Sequence, residues 1–209
     1  RWGIKRVVVI GPSHHRYFEG VQIVWFDAYE TPLGDLKGDV ELANTLISSF
    51  AGAHRYCFIE EGHREHSTEV QFPFIAHYLG GCKILEVVYC SSSPNEVAPL
   101  IENCLGLEEC AVVISSDLSH YYSEEEAHKL DMNCLEGIAQ MDSELIDERC
   151  EACGKIGISA LLCPAKKLGL KPTILDYRTS ASASGDRDRV VGYVSAVFGP
   201  LSPSERQRL

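Results

Sequence analysis

Residues 5–15 read KRVVVIGPSHH, and a similar stretch, CAVVISSDLSH, occupies residues 110–120. Each contains an uninterrupted apolar run rich in β-branched residues. Such runs predict strands buried on both faces, here over 5–10 and 110–115. Each run is followed by small or turn-forming residues and then by histidine. Together the two stretches predict a parallel sheet with chemistry-bearing residues just beyond the carboxyl ends of its strands.

Strand-like and helix-like segments alternate around these two stretches. Further strands are predicted at 21–26, 83–90, 173–177 and 189–198. Helices are predicted at 39–50, 68–79, 94–105, 124–141 and 157–168. A capping box at Ser123 marks the start of the fourth helix, and Pro164 is expected to interrupt the fifth. Residues 199–209 are predicted to be a loose tail. The alternation predicts an α/β fold, one domain over 1–209 with a mostly parallel or mixed central sheet flanked by helices.

Composition narrows the possible partners and the compartment. The 209 residues carry a net charge of −11, which repels phosphate groups, so we expect neither nucleic acid nor membrane as a partner. The nine cysteines are odd in number and scattered through apolar segments. We expect most of them to be buried reduced thiols, which favours the cytoplasm.

The two fold-deciding stretches also supply the first candidate site residues. His14 and His15 follow the first strand, and Asp117 and His120 follow the other. If both strands belong to one parallel sheet, both motifs open onto the same edge, where ligands bind in such folds. Since neighbouring side chains of an extended backbone point in opposite directions, only one of His14 and His15 is expected to reach the site.

Two further segments carry reactive residue types. His66 lies in the charged stretch 60–71, next to Ser67, which is a plausible helix N-cap; a solvated charged loop is the competing interpretation. Cys150 and Cys153 form a lone Cys-x-x-Cys motif, which is ambiguous between zinc, redox chemistry and chance. Cys153 precedes Gly154 and a predicted helix, so its thiol could have a lowered pKa.

Five motifs in order, GPSHH, EHSTEVQFPF, VVISSDLSHY, the late Cys-Gly and TSASASGDRDRVVGY, resemble the Memo family. Its prokaryotic members are called the B protein of the AmmeMemoRadiSam system. The match runs from Lys5 to about Phe198. The resemblance implies a fold similar to the class III extradiol dioxygenases, which are non-haem Fe(II) enzymes, and it suggests AMMECR-type and radical-SAM proteins as pathway partners.

The resemblance also implies roles for individual residues. His14 and Cys153 would be metal ligands, and Asp117 and His120 would line the same pocket, with His120 as the acid/base residue. His66 is a family signature. The family normally opens with a further segment containing a Pro-His-Ala-Gly motif, whose histidine is the remaining ligand. That motif is absent from this sequence, which begins with Arg1. We therefore expect that the sequence is a truncated piece, that the missing segment is a separate chain, or that the site is incomplete.

Three functions are compatible with these residues. The first is a metal-dependent, dioxygenase-like oxidoreductase holding iron(II) or copper, with Asp117 orienting His120. The second is a binding module that uses His14, His66 and His120 to hold a phosphopeptide or another anionic ligand. The third is a thiol enzyme with Cys153 as nucleophile, His120 as base and Asp117 as orienter. Substrate and physiological metal are not predicted.

Overall fold

A computed structural model describes residues 3–50, 56–59 and 65–199 of the chain. The chain divides into two compact units, residues 1–115 and 116–209, which are described separately. The first unit contains β1 (Arg6–Pro12), β2 (Gly20–Val24), β3 (Ala28–Tyr29), β4 (Leu36–Gly38), α1 (Val40–Ser49), β5 (Tyr56–Ile59), α2 (His66–Glu69), α3 (Phe72–Tyr78), β6 (Lys83–Cys90), α4 (Pro94–Leu105) and β7 (Cys110–Ile114). The second contains β8 (His120–Tyr122), α5 (Glu124–Gln140), α6 (Ser143–Arg149), α7 (Lys155–Lys167), β9 (Pro172–Thr179), α8 (Ala181–Ser184) and β10 (Val190–Phe198).

The first unit is built on a seven-stranded mixed sheet. β1 lies between β6 and β7 and is parallel to both, which confirms the predicted parallel core. β6 also pairs with β4 in parallel and with β2 in antiparallel orientation, and these additions make the sheet mixed. The α/β class with a mixed sheet and packed helices is therefore confirmed.

The apolar run of β1 explains its central position. Val7, Val8, Val9 and Ile10 are all fully buried, so the strand is covered on both faces. Because a strand with one solvated face would alternate apolar and polar residues, this continuous pattern is typical of a parallel strand between helical layers. The strand ends at the same edge of the sheet as its parallel neighbour β7.

The second unit has a three-stranded antiparallel sheet in the order β8-β10-β9, and α5 packs against β9 and β10. A fully buried carboxylate, Asp131 of α5, accepts hydrogen bonds from the Ser119 backbone N–H (2.9 Å) and the Tyr177 hydroxyl (2.7 Å). A Cβ on Gly192 of β10 would lie 1.9 Å from Asp131 Oδ2, so only glycine fits there. The segment before His120 is thus tied to the sheet through Asp131.

A disulfide joins Cys134 of α5 to Cys150, the residue that ends α6. Both cysteines are buried. The expectation that most of the cysteines are buried reduced thiols does not hold for this pair. Six of the cysteines in the described residues are free, including the buried Cys82 and Cys104.

Several predicted boundaries also change. α7 continues through Pro164, because the buried residues around that proline hold the helix on the core despite one missing N–H. The helix predicted over 68–79 is two short helices, α2 and α3, and α2 is capped by Glu65 rather than by Ser67. β3, β4, β5, β8, α6 and α8 were not predicted, and residues 200–209 of the predicted tail lie outside the described residues.

Candidate metal centre

The first candidate site lies at the carboxyl edge of the first unit's sheet, where the loop after β1 meets α2. Ser67 of α2 donates its hydroxyl hydrogen to the Pro12 carbonyl at 2.8 Å, and the Ser115 hydroxyl donates to the Ser67 carbonyl. A Cβ on Gly11 would lie 2.6 Å from Ser67 Oγ, so glycine at the end of β1 permits this close approach. These contacts therefore hold the start of α2 against the end of β1, the strand that precedes His14.

Glu65 is the buried carboxylate of the site. Its two oxygens accept the backbone N–H of His14 (2.6 Å), the backbone N–H of Ser67 (2.9 Å) and the His14 ring at Nδ1 (3.0 Å). Burial by itself would raise the pKa of this carboxyl, but the hydrogen bonds from His14 and Ser67 outweigh it and lower the pKa to about 2. Glu65 is therefore ionised at any physiological pH.

Two more imidazoles lie beside this pair. His66 Nδ1 is 3.5 Å from Glu65 Oε1 and 3.1 Å from His15 Nε2, and the rings of His14 and His66 are 4.6 Å apart at their centroids. His15 thus also reaches the cluster, contrary to the prediction that only one of the adjacent histidines would. The physical reason is that the backbone bends at His14 and His15 and is not extended.

The donor set fits a first-row transition metal. One ligand atom from each of His14, Glu65 and His66 can be chosen so that all three lie within 4.8 Å of one another. Imidazole nitrogens, such as those of His14 and His66, are ligands that suit both iron and copper. Since His14 uses Nδ1 to bond Glu65, its Nε2 is the nitrogen left for a metal, and Glu65 acts on that ring as an orienting carboxylate.

Asp117, His120 and Cys153 form a second cluster, in the second unit. His120 Nε2 lies 2.8 Å from Asp117 Oδ2, which makes Nε2 the protonated nitrogen and leaves Nδ1 without this bond. Ser116 donates to the Asp117 carbonyl (2.6 Å), accepts from the Gly154 N–H (2.9 Å) and is 3.8 Å from Cys153 Sγ. Ser116 therefore ties the β7–β8 loop to the start of α7.

The environment of Cys153 overturns one expectation. Burial and the neighbouring Asp117 carboxylate raise the pKa of the Cys153 thiol to about 11, where a lowered pKa was expected from the adjacent helix start. The hydrogen bond of His120 goes to Asp117, which occupies its Nε2. A thiol with a raised pKa is a poor nucleophile at neutral pH, so the geometry does not favour the thiol-enzyme hypothesis.

The predicted site residues thus lie in two groups. His14, His15 and His66 meet around Glu65, whereas Asp117, His120 and Cys153 meet around Ser116. The ligation of one metal by both His14 and Cys153 stays a prediction, because the two residues belong to different units. Sequence reasoning missed Glu65, although its position before the EHS histidine was visible. Residues 60–64 of the predicted charged loop lie outside the described residues.

Comparison with known proteins then identifies the family. The family model described as "Memo-like protein" matches residues 2–197. The chain belongs to the Memo family. A MEMO1 family protein of Methanobrevibacter smithii is 37% identical over 205 residues, covering 91% of this chain and 71% of the relative. One from Sulfolobus acidocaldarius is 32% identical over 210 residues, covering 92% and 71%.

The likeness extends to solved structures at the level of fold. The crystal structure of an uncharacterized protein from Escherichia coli K12 superposes with a TM-score of 0.58, at 13% identity, and covers 91% of this Memo-family chain and 90% of that protein. Among the described residues, no helix has the length and apolar character required to cross a membrane.

Proposed function

We propose that this Memo-family protein is a metal-dependent oxidoreductase whose redox metal, iron(II) or copper, is held in the first unit by the imidazoles of His14 and His66. The observation that carries this proposal is the buried, ionised Glu65 bonded to His14 Nδ1. A carboxylate behind a histidine fixes its tautomer and turns the other nitrogen outward, which is the usual arrangement at metal-bound histidines.

The number of bonds on Glu65 assigns it the orienting role rather than a place among the ligands. Three donors already occupy its oxygens, namely the His14 ring and the backbone N–H groups of His14 and Ser67, and the bond from Ser67 is the cap of α2. His66, in contrast, has a mostly exposed side chain, 66% accessible, and its Nε2 is not engaged by His15.

When bound, the metal would supply one-electron and oxygen chemistry, which amino-acid side chains alone do not provide. The chain's own residues would hold and orient the reactants. His15 Nε2 and His66 Nδ1 are 3.1 Å apart, so one ring would donate a hydrogen bond to the other, in the direction that their tautomers set. Asp117 would bond to Nε2 of His120 and so orient the ring, which leaves Nδ1 available to accept or donate a proton.

Metal binding by purified protein tests the proposal. Anaerobic titration with iron(II) and with copper(I) should saturate at one equivalent in the wild type. His14→Ala and His66→Ala should abolish this, and Glu65→Gln should weaken it by about 10- to 100-fold. His77→Ala is the matched control, because His77 lies in α3 of the same unit and contacts Tyr78 rather than the cluster. Equal binding by the wild type and His14→Ala would refute the proposal.

The phosphopeptide-binding module is kept as the second candidate because His15 and His66 are exposed and lie edge to face. Titration of the metal-free protein with an aryl phosphate separates the two functions. Binding that survives chelation and is lost in His66→Ala would favour the module. The cytoplasm remains the proposed compartment because six cysteines of the described residues are free.

A further inference from the structure

The strand that carries His120 contains an extra residue. β8 pairs with β10 through Tyr122↔Val190 and His120↔Val191, which leaves Tyr121 between two consecutive partner residues as a β-bulge. Tyr121 has a φ of 66°, in the left-handed region. Glycine is the usual residue at such a bulge because any Cβ is sterically unfavourable there.

The side chain of Tyr121 is not held in place by burial. It is 67% exposed, so packing into a core does not explain why a large aromatic residue occupies a conformation suited to glycine. Its ring instead has two polar neighbours. The His120 ring lies 5.8 Å away, and the guanidinium carbon of Arg189 lies over the Tyr121 ring at 5.1 Å from the centroid. Strained residues of this kind concentrate at ligand sites.

Arg189 differs from the other arginines nearby. Arg187 pairs with Glu124 at 3.4 Å, and Arg178 pairs with Asp176 at 2.6 Å. Within the part of the chain that the structure describes, Arg189 has the Tyr121 ring as its partner and no carboxylate. A guanidinium stacked by its face keeps its N–H edge free, and that edge matches a carboxylate with two parallel hydrogen bonds.

We propose that Tyr121 and Arg189 form a binding site for the carboxylate of a small organic molecule, which is thereby held beside the His120–Asp117 pair. Arg189 would bind the carboxylate, and the Tyr121 ring would contact the apolar body of the molecule. All four residues belong to the second unit. The proposal is therefore independent of the metal centre in the first unit.

The surrounding charges favour a monoanion over a phosphate dianion. Glu124 forms an ion pair with Arg187. Glu151 is hydrogen-bonded to the Tyr122 hydroxyl and raises the pKa of that hydroxyl. Asp186 and Asp188 lie in the loop that leads to Arg189. The single positive charge of Arg189 balances one negative charge on the ligand, while a second negative charge would be repelled by these acids.

NMR titration with benzoate tests the site, using phenyl phosphate and neutral benzamide as comparison probes. The wild type should bind benzoate more tightly than either of the others, with shift changes at Tyr121 and Arg189. Arg189→Gln should weaken benzoate binding by about 10-fold or more. Arg189→Lys keeps the charge but lacks the planar guanidinium, so its affinity for benzoate should lie between those of the wild type and Arg189→Gln. Arg187→Gln is the matched control and should bind as the wild type does.

Tyr121→Gly distinguishes a binding role from a structural one. Glycine relieves the left-handed strain, so its thermal unfolding midpoint should equal or exceed that of the wild type, while benzoate binding should weaken at least 3-fold. Met141→Gly changes another left-handed residue of this unit and should leave binding unchanged. The proposal is overturned if the wild type does not bind benzoate, if it prefers phenyl phosphate, or if Tyr121→Gly or Arg189→Gln binds benzoate normally.

Discussion

Replacing Glu65 by glutamine removes the charge on which the first unit's site is built. In the folded protein the pKa of this carboxyl is lowered from 4.5 to about 2, against the effect of burial, by the His14 and Ser67 N–H groups and the His14 ring. Each pH unit between folded and unfolded pKa values corresponds to about 1.4 kcal/mol. Ionised Glu65 therefore stabilises the folded state by about 3 kcal/mol at neutral pH.

The sign of the pH dependence follows from the lowered pKa. Because the folded value lies below the unfolded one, the contribution is complete above about pH 4.5 and is lost as the pH falls toward about 2. Glu65→Gln should thus reduce the free energy of unfolding by about 3 kcal/mol at pH 7, but by only about 1 kcal/mol near pH 3. The side chain is 2% exposed, so solvent screens this contribution little.

Urea unfolding followed by tryptophan fluorescence measures this effect. Trp25 lies in the first unit, so its emission reports on the unit that contains Glu65. Glu41→Gln is the matched control, because Glu41 is an exposed α1 residue whose ion pairs with Arg6 and Lys83 should contribute less than about 1 kcal/mol. A Glu65→Gln deficit that is below about 1 kcal/mol at pH 7, or that does not change between pH 7 and pH 3, would refute the reasoning.

Three further predictions concern the second unit. Gly192→Ala places a Cβ 1.9 Å from Asp131 Oδ2 and should lower the free energy of unfolding, measured by circular dichroism in urea, by about 3 kcal/mol. Cys134→Ser opens a disulfide whose cysteines are 16 residues apart and should lower that free energy by about 3 kcal/mol. Because burial and Asp117 raise the pKa of Cys153 to about 11, iodoacetamide at neutral pH should modify it more slowly than the exposed Cys163, as peptide mass spectrometry can measure.

Controls for these three experiments come from the same chain. A Cβ on Gly199 would meet nothing within 4 Å, so Gly199→Ala should be neutral; equal loss in both glycine variants would mean that Asp131 is not the cause. Dithiothreitol should destabilise the wild type and leave Cys134→Ser unaffected, and an unchanged wild type would contradict the disulfide. Faster alkylation of Cys153 than of Cys163 would indicate that its thiol pKa is lowered instead.

Local signals were sufficient for the elements that carry strong patterns. The prediction of a strand at 83–90 and of a helix at 94–105 matches β6 and α4. An apolar run interrupted by Glu86 defines the strand locally, and a capping box at Ser93 defines the start of the helix. α5 begins after Ser123 for the same reason. The sequence of β1 already indicated burial on both faces, and this burial is the basis on which parallel strands were predicted on both sides of β1.

Features that depend on contacts distant in sequence could not be derived in this way. Glu65 looked like one acid in a charged loop, and its role comes from the backbone N–H of His14, 51 residues away. The bend that lets both His14 and His15 reach the cluster has no periodic signature. Cys134 and Cys150 gave no sign of pairing, because their partnership depends on how α5 and α6 pack.

The central position of β1 has a consequence for the order in which the protein is made. Arg6 pairs with Lys83 on one side and with Cys110 on the other, so β1 is flanked by strands that leave the ribosome much later than it does. The His14 ring likewise cannot bond to Glu65 until residue 65 has been synthesised. A nascent chain therefore exposes the apolar strand β1 until β6 and β7 have been synthesised, and exposed apolar segments of this kind are prone to aggregation. The imidazoles of the candidate metal centre come together only after most of the unit has been translated, so metal insertion is expected to be post-translational.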